Sequence, residues 1–237
     1  SSLCMQTAAD AENMYHLGIS KNKLETLGNL KYKSSQAAGS ESSLRLTPPP
    51  ENLFILCGST HPGEEEIILR SYKQLVASHH HLNLAIAPRQ PHRADEIERL
   101  AERFCLSVKR YSARPDHLVD LLLIDTIGDL ASLYSRCDIA FIGGSLVPEG
   151  GHNPLEAAAH GIPCLFGPHM DDFKEISREL ISTGAALQVS EDSLLVILER
   201  LIRSDGLRKE TGENALRYMS QHKNVIPAHL AIIRKYL

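Results

Sequence analysis

Residues 143–156 read Gly143-Gly144-Ser145-Leu146-Val147-Pro148-Glu149-Gly150-Gly151-His152-Asn153-Pro154-Leu155-Glu156, directly after the apolar run IAFI at 139–142. Glycines at 143, 144, 150 and 151 cost backbone entropy on folding. A packed domain accepts that where a ligand must come close or the chain needs unusual dihedrals. Asn153 and Pro154 suit the N-cap and N1 positions of a following helix. A phosphate at that helix end would be stabilised by the dipole. Glu156, near the helix start, can accept two ribose hydroxyls; as a plain first-turn acid it would contribute only ~0.3–1 kcal/mol. A short apolar strand, a glycine loop and a capped helix form the unit of an open parallel sheet, where ligands sit beyond the carboxyl ends of the strands.

The same unit recurs on both sides of this stretch. Strand-like apolar runs lie at 52–57, 82–87, 107–111, 121–124, 163–166 and 186–189. Helical spacing fills 64–78, with Ile67, Ile68, Leu75 and Val76 on one side, and 94–104, with Ile97, Leu100, Ala101 and Phe104. Apolar strands alternating with amphipathic helices predict an α/β domain: a Rossmann-like parallel sheet with helices on both faces. Three helical stretches close the chain. Upstream, residues 3–6, 8–17 and a piece ending in Gly28-Asn29-Leu30-Lys31 read as strand, helix and extended segment. Residues 34–50 (SSQAAGSESSLRLTPPP) are poor in large apolar side chains and end in three prolines, the signature of a linker. The expected division is 1–45, the end of one domain plus linker, and 46–237, a nucleotide-binding domain.

The formal net charge of −4 argues against a protein that holds nucleic acid mainly by electrostatics. It leaves room for a local basic pocket serving one phosphate. Five cysteines without a CxxC pair read as reduced thiols, with Cys57, Cys137 and Cys164 beside apolar runs. No apolar run is long enough to span a bilayer, so the chain itself is expected to be soluble. The His79-His80-His81 triplet has no second ligand cluster near it in sequence and reads as a solvated turn. No metal and no cofactor are called for.

Three further segments follow strands. Gly58-Ser59-Thr60-His61-Pro62-Gly63 could turn backbone N–H groups and two hydroxyls toward an anion, or be a plain turn capped by Ser59 or Thr60. Glu64, Glu65 and Glu66 then suit the positive end of a helix. Arg89, stiffened between Pro88 and Pro91, is placed to grip a phosphate or carboxylate through its planar fork, or to be an ordinary surface arginine. In Asp125-Thr126-Ile127-Gly128-Asp129-Leu130, Gly128 opens a helix and frees backbone groups, with a simple N-cap by Thr126 or Asp125 as the other reading.

Taken in order, GNLKY (28–32), GSTHPGEEE (58–66), APRQPHR (87–93), DTIGDL (125–130), GGSLVPEGGHNPLEAA (143–158) and GPHMDDFKEI (167–176) resemble the C-terminal half of the 3-deoxy-D-manno-octulosonic acid (Kdo) transferases, glycosyltransferases of the GT-B fold. The resemblance implies inverting transfer of Kdo from the donor CMP-Kdo to a lipid A precursor in lipopolysaccharide core synthesis. It implies CMP contacts from Pro88, Arg89, Ile127, Gly128, Asp129, Asn153, Pro154, Leu155 and Glu156, and a transition-state-stabilising cation at Lys31. Ser59, Thr60, His61, Gly144 and Gly151 are further candidates for phosphate or Kdo contacts. Gln90 stands where the family often has His, and Ile127 and Asp129 replace the commoner Met and Glu. The family's general base is a Glu of the N-terminal domain, which also makes most of the acceptor and membrane contact at the cytoplasmic face of the inner membrane. No segment here matches that Glu, so the chain is expected to bind donor without turning it over alone. The alternative is the donor half of a GT-B enzyme that uses a UDP-sugar.

Overall fold

A computed structural model describes residues 1–34, 51–79, 81–115, 117, 119–222 and 224–236. The expected boundary near residue 45 lies outside the described residues. At the N-terminus, β1 (Leu3–Met5) and β2 (Leu24–Thr26) form a two-stranded parallel sheet around α1 (Ala8–His16), and α2 (Lys31–Ser34) follows. Lys31 therefore starts a helical turn and does not end an extended piece.

The main body runs β3 (Leu53–Thr60), α3 (Glu64–Val76), β4 (Leu82–Pro88), α4 (Ala94–Arg103), β5 (Val108–Arg110), β6 (Leu121–Leu123), α5 (Leu130–Leu133), β7 (Ile139–Ile142), α6 (Leu155–Ala159), β8 (Cys164–Phe166), α7 (Lys174–Ser182), β9 (Ala186–Gln188), α8 (Glu191–Arg203), α9 (Asp205–Gln221) and α10 (Val225–Arg234). The described strands β3 to β9 make one sheet in the order β5-β6-β4-β3-β7-β8-β9, parallel throughout. The chain starts in the middle at β3, builds one side, then returns to β7 and builds the other. The β3/β7 junction is thus the topological switch point, where such sheets open a crevice.

Alternation along the strands makes two cores. Phe54, Leu56, Ala85, Leu122, Ala140 and Ile142 face one layer with Leu155, Leu180 and Tyr218. Ile55, Cys57, Leu84, Ile86, Leu123 and Phe141 face the other with Ile68, Leu69, Ile97 and Leu198. Each fully buried Leu, Ile or Phe contributes roughly 1.5–3 kcal/mol. All seven β4 residues are buried, as a strand covered on both faces requires. Cys57, Cys137 and Cys164 are buried free thiols, while Cys4 and Cys105 are exposed. No helix among the described residues is long and apolar enough to cross a membrane.

Candidate functional site: a crevice at the sheet switch point

The carboxyl end of β3 does not stop at Cys57. Gly58-Ser59-Thr60, read from sequence as a turn, continue the strand through a bulge at Ser59, whose φ is 57°. The strand end is then crowded from two sides. A Cβ on Gly58 would lie 2.2 Å from the Tyr134 hydroxyl and 3.0 Å from Leu130 at the start of α5. A Cβ on Gly143 would lie 2.2 Å from the Ser59 carbonyl oxygen. Gly143 therefore serves the close approach of two backbones, and its N–H donates to the Gly58 carbonyl at 2.8 Å. Arg89 N–H donates to the Thr60 carbonyl at 2.9 Å, which draws the end of β4 in beside them. In this way the structure brings the four sequence segments to one crevice.

Two glutamates hold the crevice walls; with Glu66 they sit in the first turn of α3, as the reading of 64–66 as helix-end charges expects, and their carboxylates also bond beyond the helix. Glu64 is fully buried. Its carboxylate accepts N–H bonds from Gly144 (2.7 Å), Ser145 (2.9 Å), Leu146 (2.9 Å) and His61 (2.9 Å). Glu65, also buried, accepts from Arg93 Nη1 (2.7 Å) and Nη2 (3.3 Å) and from the Thr60 hydroxyl (2.9 Å). Arg93 in turn reaches Glu96 through Nε (3.1 Å) and Nη2 (2.8 Å). Only Glu66 is exposed. The first glutamate ties α3 to the glycine loop, and the second ties it to the loop that carries Arg89.

Three of the supplementary contact candidates have their polar hydrogens bonded within the protein. The Thr60 hydroxyl is buried and spent on Glu65, the Gly144 N–H is spent on Glu64, and the Gly151 N–H donates to the Gly144 carbonyl at 2.8 Å. Their polar hydrogens are not offered to a ligand. Gly151 instead has a packing reason: at φ 75°, a Cβ there would meet Met170 Sδ at 2.4 Å. Ser59 and His61 remain at the crevice with side chains partly open.

His61 and His152 share a hydrogen bond between their Nε2 atoms at 2.8 Å, one ring donating and the other accepting, with the rings stacked at 5.1 Å. Glu149 lies 3.8 Å from His61 Nδ1. Burial, then His61 and the Arg89 cation, lower the His152 pKa to about 4, against the weaker pull of Asp172 and Glu149. His152 is therefore neutral at neutral pH. It was legible in the sequence only as part of the glycine-rich string. Arg89 is exposed, and its guanidinium makes no hydrogen bond or ion pair among the described residues.

At α6 the expected cap is displaced by one residue. Pro154 sits at the cap position, and the Asn153 side-chain oxygen accepts the Leu155 N–H at 3.1 Å, while Asn153 Nδ2 donates to Glu156 at 3.4 Å. Leu155 is fully buried and anchors the turn. With five residues, α6 offers a smaller dipole than a long helix. Burial raises the Glu156 pKa, and the Asn153 bond only partly offsets it. A desolvated carboxyl of this kind gains from hydroxyl donors brought by a ligand.

Beyond β6, Thr126 donates to Asp129 at 2.5 Å, and α5 begins at Leu130 without a side-chain cap. Gly128 has φ 96° with open space around it, and Ile127 is 89% exposed, a bare apolar surface at the mouth. On the far side, Lys31 Nζ donates to the Asp172 carbonyl at 2.7 Å and lies 4.0 Å from the Phe173 ring centroid. Asp172 N–H bonds the Gly150 carbonyl at 2.9 Å, which connects Lys31 to the glycine loop. Tyr32 anchors this turn by stacking on His222 at 4.0 Å and bonding Tyr218 at 2.6 Å. Among the described residues, no group of three or more His, Cys, Asp or Glu is placed to hold a metal ion.

A parallel seven-stranded sheet of this topology, with helices around it, matches the Rossmann-like sheet of a GT-B fold. No family model matches the chain. It is 33% identical to the 3-deoxy-D-manno-octulosonic acid transferase of Haemophilus influenzae, over 93% of this chain and 53% of that one. It is 32% identical to the enzyme of the same name from Rickettsia bellii, over 100% and 57%. The crystal structure of the C-terminal CMP-Kdo binding domain of WaaA from Acinetobacter baumannii matches with a TM-score of 0.68 and 26% identity, over 81% of this chain and 98% of that one. The chain is similar to the 3-deoxy-D-manno-octulosonic acid transferases, and it spans about half the length of the curated relatives it matches.

Proposed function

We propose that this chain is the donor-binding half of a Kdo transferase and that the β3/β7 crevice receives CMP-Kdo. The single observation that carries this reading is Arg89, an exposed cation without an ion pair among the described residues, at a crevice otherwise lined by a neutral histidine and a desolvated glutamate. In this account the cytosine lies against Ile127, Gly128 and Asp129, and the ribose diol bonds Glu156. The phosphate is met by Pro88-Arg89 and by Asn153, Pro154 and Leu155. Lys31 offsets charge developing on the leaving CMP or on the Kdo carboxylate, through the electrostatic complementarity that gives such sites much of their rate. The base that deprotonates the lipid A acceptor belongs to the N-terminal domain of the whole enzyme, as does contact with the inner membrane. The acceptor oxygen attacks the anomeric carbon as CMP departs, with inversion.

Calorimetry with CMP, UMP and UDP tests the proposal. CMP should bind most tightly, and Arg89→Ala and Glu156→Ala should each weaken it. A clear preference for UDP would favour a UDP-sugar enzyme on the same fold. Unchanged affinity in both variants would mean the fold persists without this site.

A further inference from the structure

A glycine-rich loop at a strand end invites the view that its backbone N–H groups cradle the donor phosphate. Here that anion position is already filled from within. Glu64 presents both carboxylate oxygens to four backbone N–H groups at 2.7–2.9 Å, three of them from consecutive residues 144–146. The group is fully buried and its hydrogen-bonding capacity is well used, with no cation among the described residues bonded to it. A buried carboxylate without a countercharge persists where several oriented N–H dipoles surround it.

We propose that Glu64 is a positioning residue: it is the built-in anion of the glycine-rich loop, holding residues 144–146 in place and keeping the donor phosphate out of their amides. This rests on the reading of the crevice as a nucleotide-sugar site. The phosphate is then left to Arg89 and the Asn153 turn, on the outer side of the same loop. The carboxylate also fixes His152, since Gly144 packs against that ring, with its Cβ position 3.2 Å from His152 Cδ2, and the Gly143 carbonyl accepts the His152 N–H at 3.1 Å. Glutamine at 64 keeps one acceptor oxygen but turns an NH2 toward two N–H donors, so two bonds become repulsive contacts.

Amide hydrogen exchange and titration followed by NMR test this on the whole chain. In the wild-type protein, amides 144–146 and 61 should be strongly protected, and CMP or inorganic phosphate should move the resonances of 152–156 far more than those of 144–146. Glu64→Gln should lose that protection and weaken CMP binding by about tenfold or more. Glu64→Ala should do the same and regain both protection and affinity in sodium formate, but not in sodium chloride of equal ionic strength. Leu198→Ala, a core truncation in the layer below, should lower thermal stability while leaving CMP affinity intact, which separates loop positioning from general loosening. Tighter CMP or phosphate binding on loss of Glu64 would overturn the proposal, as would unchanged protection in Glu64→Gln or ligand shifts centred on 144–146. Failure of the wild-type chain to bind CMP would defeat the donor-site reading instead, and the protection pattern would still decide whether Glu64 holds the loop.

Discussion

The Glu65–Arg93 pair should be among the strongest single polar couplings in the domain. Glu65 is 1% exposed and Arg93 8%, so neither charge is well served by water. Removing one partner of a buried pair costs about 3–5 kcal/mol, because the other is stranded. For Glu65→Ala the lower end applies, since Arg93 keeps Glu96, whose side chain is 60% exposed. The Thr60 hydroxyl also loses its acceptor, which adds about 1 kcal/mol. The expected loss is therefore ~3–4 kcal/mol. Among the described residues, Arg93→Ala leaves Glu65 with only the Thr60 hydroxyl as a side-chain partner and should cost at least as much. In the double variant both charges are gone, so the losses should fall short of additivity by about 2 kcal/mol. Urea unfolding of the four proteins, with unchanged m-values, measures this cycle. A coupling below ~0.5 kcal/mol would show that the pair is not what fastens the Arg89 loop to α3.

Arg89→Ala should leave stability unchanged within ~0.5 kcal/mol, since the side chain is exposed. It should weaken CMP by roughly 10–150-fold, the worth of a charge-assisted hydrogen bond, as read by calorimetry. Gly143→Ala, driven against the Ser59 carbonyl, should destabilise by about 3 kcal/mol or more. Gly128→Ala, with space but φ 96°, should cost only ~1–2 kcal/mol of left-handed strain. Equal melting temperatures for the two would refute the crowding argument. The His152 pKa is lowered from 6.5 to about 4, so its contribution to stability is complete above pH 6.5 and lost as pH falls toward 4. After screening on a half-exposed ring, this amounts to roughly 1 kcal/mol. Urea melts at about pH 5 and pH 8 should differ less in His152→Gln than in wild type, and an unchanged difference would remove His152 as the cause.

Much of the sheet is readable in the sequence because a parallel strand buried on both faces has to be an unbroken apolar run, as Leu82–Pro88 is. Strands β4 to β9 lie within a residue or two of their expected spans. The end of β3 was hidden because Gly58 and Ser59 carry turn chemistry, while what extends the strand is pairing across the bulge with Ala87 and Pro88. The turn at Lys31–Ser34 is too short to show periodicity and depends on Tyr32 packing against Tyr218 and His222. Three consecutive glutamates after a glycine look like helix-end charges from local rules alone. Only tertiary contacts separated by 28 and by 80–82 residues turn Glu65 and Glu64 into the posts of the crevice. The glycines of 143–151 signalled close approach correctly, but at Gly143 and Gly151 the approaching groups are the protein's own backbone and Met170.

The central claim is that the switch-point crevice takes CMP with its phosphate at Arg89. A crystal structure of the chain with CMP tests it most directly. The account predicts cytosine against Ile127 and Gly128, both ribose hydroxyls on Glu156, and the phosphate within hydrogen-bonding distance of the Arg89 guanidinium and the Asn153 turn. CMP bound away from this crevice, or in it with its phosphate on the amides of residues 144–146 and Glu64 displaced, would contradict it.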